Sequence, residues 1–445
     1  MDIELTSWWQ LLVVAIGVGG EVFFTFRRPS FGAAAVMLLL PAYLLRIRVA
    51  PFPTNALELL LLALAAGYMT RVFVLRERPS FTLSSPVFWS ALALIATGAV
   101  LATLHALRIS GIESASARTI LGALKGFLGE PILFVILLSA IPSSWPRAFS
   151  TALRGYVWGA AAIAAAALGS GVAAFLAHCS GEALLCHTLT FDGRLRFLYG
   201  SPNELAMYLV PAAMLVFGIE NWGLRIGGKV RWAVLALFFG ALLWTQSLGA
   251  LAAAAAGLIF LFAFRYRRRA AEWFAYATMA IGAIFPFAIV AFSDFLMSEG
   301  ARSSFASRVM IWRSAITLVR EQWLLGIGPG AFQAHYLALQ ERFPQYLEWA
   351  VLQPHNLFLS LWLGAGLFGL LGFLLLLIAA FRRARFQSTS PLAGAALSAL
   401  VALTVVGSVD TPFWRNDISI IFLLAFALVL LPDTRALDHK ERDRP

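Results

Sequence analysis

The sequence predicts an all-α, polytopic integral membrane protein with about 12–13 transmembrane helices and one large, partly helical periplasmic loop. The 445 residues are 60% hydrophobic and only 13% charged, and the mean hydropathy is +0.80. Apolar runs of bilayer-spanning length follow one another along the chain, and short clusters of lysine and arginine separate them. Runs this long are expected to be helical, because a helix satisfies its own backbone hydrogen bonds in lipid.

The apolar runs define the predicted transmembrane segments. They cover residues 8–26, 31–47, 56–75, 87–108, 120–141, 149–177, 203–219, 231–247, 249–264, 273–293, 357–380, 391–409 and 417–432. Glu21 interrupts the first run, so the count is about 12 or 13. The expected organisation is N-terminal transmembrane helices over 1–293, a large loop over 294–356, C-terminal transmembrane helices over 357–432 and a tail over 433–445.

Basic residues predict the orientation of these segments. Their clusters lie at Arg27–Arg28, Arg71/Arg76/Arg78, Arg147/Arg154, Arg225/Lys229/Arg231, Arg265/Arg267/Arg268/Arg269 and Arg382/Arg383/Arg385. All of them fall on one side, which the positive-inside rule identifies as the cytoplasm, and the tail falls there too. The large loop then lies outside, whereas the N-terminus is outside with about 13 spans and inside with about 12.

The distribution of charge and the N-terminal residues argue against nucleic-acid binding and against a cleavable signal peptide. The formal net charge of +11 comes from short clusters between apolar runs, and no basic domain accompanies them, so nucleic-acid binding is not expected. Asp2 and Glu4 stand where a signal peptide carries basic residues, so we expect no cleavable signal.

Cysteine usage predicts one disulfide. The two cysteines of the chain, Cys179 and Cys186, both fall in one outer loop. A cysteine pair in an oxidising compartment favours a disulfide, and two free thiols are the alternative.

Arginines on the outer side depart from the positive-inside pattern. Arg194 and Arg196 precede a predicted helix, and Arg308 lies in the large loop. Residues 302–325 have the apolar spacing of an amphipathic helix, on which Arg308 and Trp312 share a face. A guanidinium fork suits the oxygens of a diphosphate. Alternatively, the helix lies at the membrane interface and its arginines reach lipid head groups.

A histidine stands where the large loop meets an apolar helix. Gln353, Pro354, His355 and Asn356 close the loop, and the apolar run begins at Leu357. Imidazole is the side chain best suited to move a proton near neutral pH, so His355 is a candidate general base. In the alternative interpretation, His355 and Asn356 only cap the start of the helix.

Motifs of several other classes are absent from the sequence. It has no P-loop, no Asp-x-Asp pair and no cluster of His, Cys and carboxylates with metal-ligand spacing, so we expect no metal and no cofactor. Charged residues inside the apolar runs are few, and no inverted repeat is visible, which argues against a proton-coupled transporter.

An ordered set of motifs resembles the bacterial O-antigen ligase/polymerase superfamily. The motifs are Pro53–Glu58, Gly129–Pro131, Ser201–Ala206, Arg308–Trp312, Leu325–Phe332 with Tyr336, Pro354–Asn356 and Asp410–Asp417. Ligases of this superfamily follow His-Asn, nine residues later, with Gly-x-x-Gly, which is similar to His355, Asn356, Gly366 and Gly369 here. The resemblance runs from about Pro41 to the last span.

The resemblance implies an inverting, metal-independent glycosyl transfer on the periplasmic side of the bacterial inner membrane. The donor would be a glycan on undecaprenyl diphosphate, and the acceptor a hydroxyl of lipid A-core or a similar molecule. His355 would be the general base. Diphosphate binding would fall to Arg308, Arg194, Arg196 and Arg415, with supporting roles for Asn356, Asn203, Trp312, Asp410 and Asp417.

One departure from the superfamily pattern concerns the diphosphate. Many members have Thr-x-Ser-Arg-Gly between two central helices, with an arginine that helps to hold the lipid diphosphate. The corresponding residues here are Thr245 to Gly249, with Leu248 in place of that arginine. Arg194, Arg196 or Arg415 would therefore replace it, or the substrate differs.

Two other functions remain open at this point. The same resemblance allows a polymerase that extends the glycan instead of a ligase. A carrier of small anions is a more distant alternative. The sequence identifies neither the sugar nor the acceptor.

Overall fold

The computed structural model describes residues 2–4, 8–49, 52–79, 85–109, 114–141, 145–177, 185–218, 228–292, 304–339, 351–386 and 391–430. Within these ranges the chain is almost entirely helical. The helices are α1 (Trp8–Arg27), α2 (Pro29–Leu38), α3 (Ala56–Leu75), α4 (Pro86–Ile109), α5 (Ser114–Leu124), α6 (Glu130–Ala140), α7 (Trp145–Leu176), α8 (Pro202–Gly218), α9 (Gly228–Thr245), α10 (Leu248–Tyr266), α11 (Arg268–Ala291), α12 (Ser304–Glu321), α13 (Phe332–Leu339), α14 (Leu357–Phe386), α15 (Pro391–Val406) and α16 (Asn416–Leu430).

The all-α membrane class is confirmed. Every predicted apolar run contains a helix, although the run over 31–47 is helical only in its first part, and eight of the described helical segments are long and apolar enough to cross a membrane. The apolar helices α2, α15 and α16 are shorter. At 1.5 Å per residue, helices this short span less than the roughly 30 Å of a bilayer core.

A small sheet was not predicted from the sequence. Three short strands, Asp2–Glu4 (β1), Arg46–Val49 (β2) and Phe52–Asn55 (β3), form it in the order β1-β2-β3. The β1–β2 pair is parallel and the β2–β3 pair is antiparallel. Residues 31–47 were expected to form one span, but α2 ends at Leu38 and a 3₁₀ turn containing Pro41 follows, since proline cannot supply an interior helical N–H.

The helices have two chemically different ends. At the end called here the basic end, Arg71 donates to the Phe26 and Arg27 carbonyls, and Arg383 donates to the Leu430 carbonyl. At the opposite end, called the sheet end, Arg415 before α16 donates to the Tyr43 hydroxyl. The chain thus begins at the sheet end and α16 runs to the basic end, which fits an odd number of crossings.

The predicted amphipathic helix in the large loop forms as α12. Its apolar face is buried within the protein, with Trp312 fully enclosed and Val309, Ile316 and Val319 almost so, whereas Phe305 is exposed. Trp312 packs edge-on against Phe285 of α11, at 5.5 Å between ring centroids. Helices α11 and α14 pack against α12, so protein covers the centre of its apolar face.

A kink in α14 accommodates the turn that follows α12. Gly366 has φ +65°, and an added Cβ there would lie 2.6 Å from the Leu324 carbonyl oxygen. The N–H of Leu367 donates to that carbonyl at 2.9 Å, and the N–H of Ile327 donates to the Leu363 carbonyl at 2.8 Å. Glycine permits both the left-handed backbone and the close approach of the two segments.

Candidate functional site

His355 lies at the sheet end, immediately before α14, in an unusual backbone conformation. Its φ is +48°, which non-glycine residues rarely adopt. The indole N–H of Trp312 donates to the His355 carbonyl at 3.2 Å. The ring Nδ1 lies 3.2 Å from Oδ1 of Asp410, and 36% of the histidine side chain is exposed. The imidazole is therefore held on one side and open on the other.

Asp410 belongs to the loop between α15 and α16 and is nearly buried. Burial raises the pKa of this carboxyl, but the hydrogen bond and charge of His355, the Thr411 N–H and the charge of Arg308 together hold the pKa below its ordinary value. The Thr411 N–H donates to Oδ1 at 2.9 Å. Asp410 is accordingly ionised near neutral pH and is a suitable acceptor for a proton on Nδ1 of His355.

Arg308 of α12 reaches the same loop. Its Nε donates to the Val409 carbonyl at 2.9 Å, and its charge lies close enough to Asp410 to lower the pKa of that carboxyl. The residue is half-buried. A cation and a carboxylate-oriented histidine thus adjoin each other at one end of the helices.

Asn356 has a structural role whose details the sequence did not show. Its side-chain oxygen accepts from the Phe358 and Leu359 N–H groups, each at 3.0 Å, so it caps α14 as the alternative interpretation expected. Its amide also donates to the carbonyls of Gly282 and Ser408, each at 3.0 Å. This fully buried side chain ties α14 to α11 and to the loop after α15, and so fixes the position of His355.

Arg194 and Asn203 meet at a second place, beside the turn between α9 and α10. Arg194 Nε donates to the Thr245 carbonyl at 3.0 Å, and its Nη2 lies 3.4 Å from the Asn203 side-chain oxygen. In this turn Gln246 has φ +51° and the Leu248 side chain is 81% exposed. Arg194 is therefore at the turn in which the superfamily arginine is missing.

Arg196 contacts His187 instead of the turn that Arg194 contacts. Its guanidinium contacts the carbonyl and the ring of His187, at 2.8 and 3.1 Å. In the same loop Cys186 is disulfide-bonded. Cys179 lies outside the described residues, so the pairing of the two cysteines stays a prediction.

Arg415 and Asp417 form a buried ion pair. Arg415 donates to both carboxylate oxygens of Asp417 at 3.2 and 2.8 Å, to the Glu204 carbonyl at 2.9 Å and to the Tyr43 hydroxyl at 3.1 Å. Tyr199 lies beneath it, 5.3 Å from ring centroid to Cζ. Burial opposes the charge, but the neighbouring Asp417 carboxylate holds the pKa of Arg415 well above its ordinary value. These contacts occupy most of its donors and favour a structural role.

The structure thus groups the predicted site residues other than Arg196 into three places. His355, Asn356, Arg308, Trp312 and Asp410 form one cluster, Arg194 and Asn203 the second, and Arg415 and Asp417 the third. The tyrosines around Arg415 were missed, since nothing in a uniformly apolar run marks Tyr43 as a polar contact. Among the described residues, no group of three or more His, Cys, Asp or Glu could hold a metal ion.

Comparison with known proteins identifies the central part of the chain. Residues 233–374 match the family model of the O-antigen ligase. No curated protein matches the chain. The match includes Arg308, Trp312, His355 and Asn356, and it ends before Asp410. It supports an enzyme of ligase or polymerase type that acts on glycans in a membrane. Residues 233–374 are thus similar to the O-antigen ligase family, in agreement with the superfamily that the sequence motifs resemble.

Proposed function

We propose that this protein transfers a glycan from undecaprenyl diphosphate to an acceptor hydroxyl on the periplasmic side of the inner membrane, with inversion and without a metal. The acceptor is lipid A-core or a similar molecule. The observation that carries the proposal is the contact between His355 and the ionised Asp410, beside Arg308. His355 and Arg308 both lie inside the segment that matches the O-antigen ligase family. A histidine oriented by a carboxylate is the arrangement expected of a general base.

The proposed reaction uses one proton transfer and one displacement. Nδ1–H of His355 donates to Asp410, which leaves Nε2 with a free electron pair. Nε2 takes the proton of the acceptor hydroxyl as the hydroxyl oxygen attacks the anomeric carbon. The bond between that carbon and the phosphate oxygen breaks, and undecaprenyl diphosphate leaves with the electron pair. Attack from the face opposite the leaving group inverts the anomeric configuration.

Arginines stabilise the negative charge that develops on the leaving diphosphate. Arg308 is the first candidate, because it adjoins the catalytic histidine and its carboxylate. Arg194 is our candidate for the role of the arginine missing at Leu248, because its guanidinium lies on the Thr245 carbonyl of the same turn. Fixed guanidinium groups at a developing charge are worth several kcal/mol, roughly 2.7–4 kcal/mol for one such donor elsewhere.

Purified protein with lipid-linked glycan and acceptor, but without nucleotide and with a chelator present, tests the proposal. We expect glycan transfer and release of undecaprenyl diphosphate. Lipid A-core and a second lipid-linked glycan, offered separately, distinguish a ligase from a polymerase. Transfer to neither acceptor, together with anion uptake into vesicles, would favour the carrier function and contradict the proposal.

His355→Asn is the matching variant, because asparagine tolerates a positive φ and lacks the basic nitrogen. We expect transfer to fall about 100- to 10,000-fold, as for loss of a general base. His439→Asn, the same change in the tail predicted on the other side of the membrane, serves as the control. Unchanged turnover in a well-folded His355→Asn protein would exclude the catalytic role.

A further inference from the structure

A cavity lies at the sheet end, and no residue of the His355 cluster lines it. Its volume is about 300 Å³, and it opens between α4, α5 and the segment from the end of α12 to α13. Ala106, Ile120, Ile327 and Leu337 are among the described residues that line it, together with the polar side chains discussed below. The reaction proposed above uses none of them.

The wall of this cavity is built by a glycine-rich turn that packs directly on helices. Gly326, Gly328 and Gly330 have φ of +71°, +89° and +74°. A Cβ on Gly328 would lie 2.9 Å from the Ala106 Cβ, and one on Gly330 would lie 2.9 Å from the Ala123 Cβ. Glycine is therefore required both for the backbone path and for the contact with α4 and α5. The Leu325–Phe332 motif therefore forms one wall of the cavity.

The polar groups in the cavity share one property: each can both donate and accept a hydrogen bond. They are the imidazoles of His105 and His335, the amides of Gln322 and Gln333, and the hydroxyl of Thr119. His105 Nε2 donates to the Gln322 oxygen at 2.9 Å, and His335 Nδ1 donates to the Ala331 carbonyl at 3.0 Å. No carboxylate, ammonium or guanidinium is among the described lining residues.

This chemistry selects the class of ligand. A phosphate or a carboxylate would lack a permanent cation, and an amine would lack a carboxylate. An alkyl chain would match only the apolar part of this lining and could form no hydrogen bond with its polar side chains. A hydroxyl group, like the lining groups, both donates and accepts. We propose that this cavity binds an uncharged sugar residue, with its hydroxyls on the polar groups and its C–H faces on the alanine, isoleucine and leucine side chains.

The cavity and the His355 cluster are joined by one packed core. Ala106, Ile120 and Ile327 line the cavity and belong to the same hydrophobic cluster as Trp312, whose indole donates to the His355 carbonyl. The cavity is thus lined in part by the same hydrophobic core that holds Trp312. The further assignment of that sugar to the acceptor rests on the proposed transferase function, whereas the binding of a neutral sugar does not.

The binding test uses a photoreactive octyl β-D-glucoside on the purified protein in nanodiscs, with labelled peptides quantified by mass spectrometry. Matched probes are photoreactive octanol and octyltrimethylammonium, which share the chain but lack the sugar. We expect saturable labelling by the glucoside alone, on peptides that contain residues 322–339 or 105–120. Equal labelling by octanol or by the ammonium probe at those peptides would overturn the proposal.

Two variants and one matched control sharpen the binding test. Gln333→Leu and Thr119→Val remove polar lining groups at nearly constant volume. We expect each to raise the half-saturating glucoside concentration about 2- to 12-fold, the usual effect of one lost hydrogen bond. Thr70→Val makes the same change on an exposed face near the basic end and should leave the half-saturating concentration unchanged. Unaltered labelling in both cavity variants would contradict the assignment of the site.

Transfer kinetics decide which substrate supplies the sugar. Gln333→Leu should raise KM for a sugar-bearing acceptor and leave KM for the donor and kcat unchanged. A rise only in donor KM would assign the sugar to the donor glycan and overturn the acceptor assignment. Failure of transfer in every protein, with glucoside labelling intact, would contradict the transferase proposal and leave the sugar site standing.

Discussion

Single residues of the candidate site are held mainly by main-chain carbonyls. Trp312 donates to the His355 carbonyl, Arg308 to that of Val409, and Asn356 to those of Gly282 and Ser408. Such contacts preorganise a site without requiring a complementary side chain nearby. His355 itself adopts a positive φ, a conformation that costs of order 1–3 kcal/mol and persists only where the surrounding contacts enforce it.

Substitutions of Arg308 test whether its side chain binds the donor diphosphate or a lipid head group. Arg308→Lys keeps the charge but loses the planar fork and the Nε contact to Val409, so we expect about a tenfold or greater loss of transfer rate at saturating donor. Arg308→Ala should lose about 100- to 1,000-fold. Both rates are measured on protein with unchanged thermal unfolding. If lysine matches arginine, Arg308 serves as a lipid contact and the diphosphate lies elsewhere.

The lowered pKa of Asp410 predicts that the stability of the protein depends on pH in the acid range. Because the folded-state pKa lies below the ordinary 3.8, ionised Asp410 stabilises the fold at pH values above 3.8, and this contribution is lost as the pH falls through the lowered pKa. Asp410→Asn should therefore flatten the acid limb of the stability curve, measured by thermal unfolding in detergent between about pH 2 and 6. The same variant should slow transfer, up to about 10,000-fold, since asparagine can hold the wrong imidazole tautomer. An unchanged acid limb would argue against the ion pair with His355.

Substitution of Arg415 tests whether this cation stabilises the fold or binds the donor. Arg415→Met leaves Asp417 buried without its cation, so the free energy of unfolding should fall by about 3–5 kcal/mol. Asp417→Asn added to it removes the unpaired charge and should recover part of the loss. Chemical unfolding of the single and double variants measures both effects. A stable Arg415→Met protein that no longer retains the lipid-linked donor would instead assign Arg415 to the diphosphate.

At the scale of elements, the site depends on segments that interrupt regular helices. The kink at Gly366 lets the turn after α12 insert against α14, and the loop between α15 and α16 brings Asp410 to His355. The Gly-x-x-Gly motif thereby acquires a physical explanation. Gly366 supplies the left-handed backbone, while Gly369 lies so close to Ala365 that an added Cβ would come within 2.2 Å of the alanine Cβ.

Gly366→Ala should disturb this junction. An alanine at φ +65° is strained by roughly 1–2 kcal/mol, and its Cβ would also collide with the Leu324 carbonyl oxygen 2.6 Å away. We expect lower thermal stability and reduced transfer together. Gly122→Ala in α5, where an added Cβ meets nothing within 4 Å, is the control and should be neutral or slightly stabilising. Equal stability of the two variants would show that the kink is not required.

At the scale of the whole molecule, the two ends of the helices differ in charge and in chemistry. Basic residues gather at the basic end, where Arg267, Arg268 and Arg269 lie with Arg385 around a shared opening. The three-stranded sheet and all three groups of predicted site residues lie at the sheet end. The N-terminal strand pairs there with β2, which a chain that starts on the other side of the membrane could not do.

This geometry predicts the topology. A short protease-cleavable tag at the N-terminus should be cut from outside in spheroplasts, whereas the same tag at the C-terminus should be cut only after lysis. The physical reason is the odd number of crossings, with the basic end retained in the cytoplasm. Both tags on the same side would require an even number of crossings and would contradict the pairing of β1 with β2.

The success of sequence reasoning differs between helices and strands. The apolar runs other than 31–47 form helices as predicted, because length and hydropathy are local properties and lipid enforces backbone pairing within a segment. The sheet was missed because Asp2–Glu4 is only three residues long and forms a strand only through pairing with Arg46–Val49, far along the chain. The packing of α12 on α11 and α14 could not be predicted, because an amphipathic pattern indicates an apolar face without indicating whether lipid or protein covers it.

The sequence by itself determined the membrane class, the helical segments, the side that carries the basic clusters and His355 as the residue to test. Only the tertiary structure decided which residues meet it. Asp410 is 55 residues from His355, Val409 is 101 from Arg308, and Tyr43 is 372 from Arg415. Such contacts depend on how helices pack and where they kink. Local sequence periodicity does not encode this packing. The sequence therefore identified candidate arginines, but it could not show that Arg308 adjoins His355 whereas Arg415 belongs to a buried ion pair.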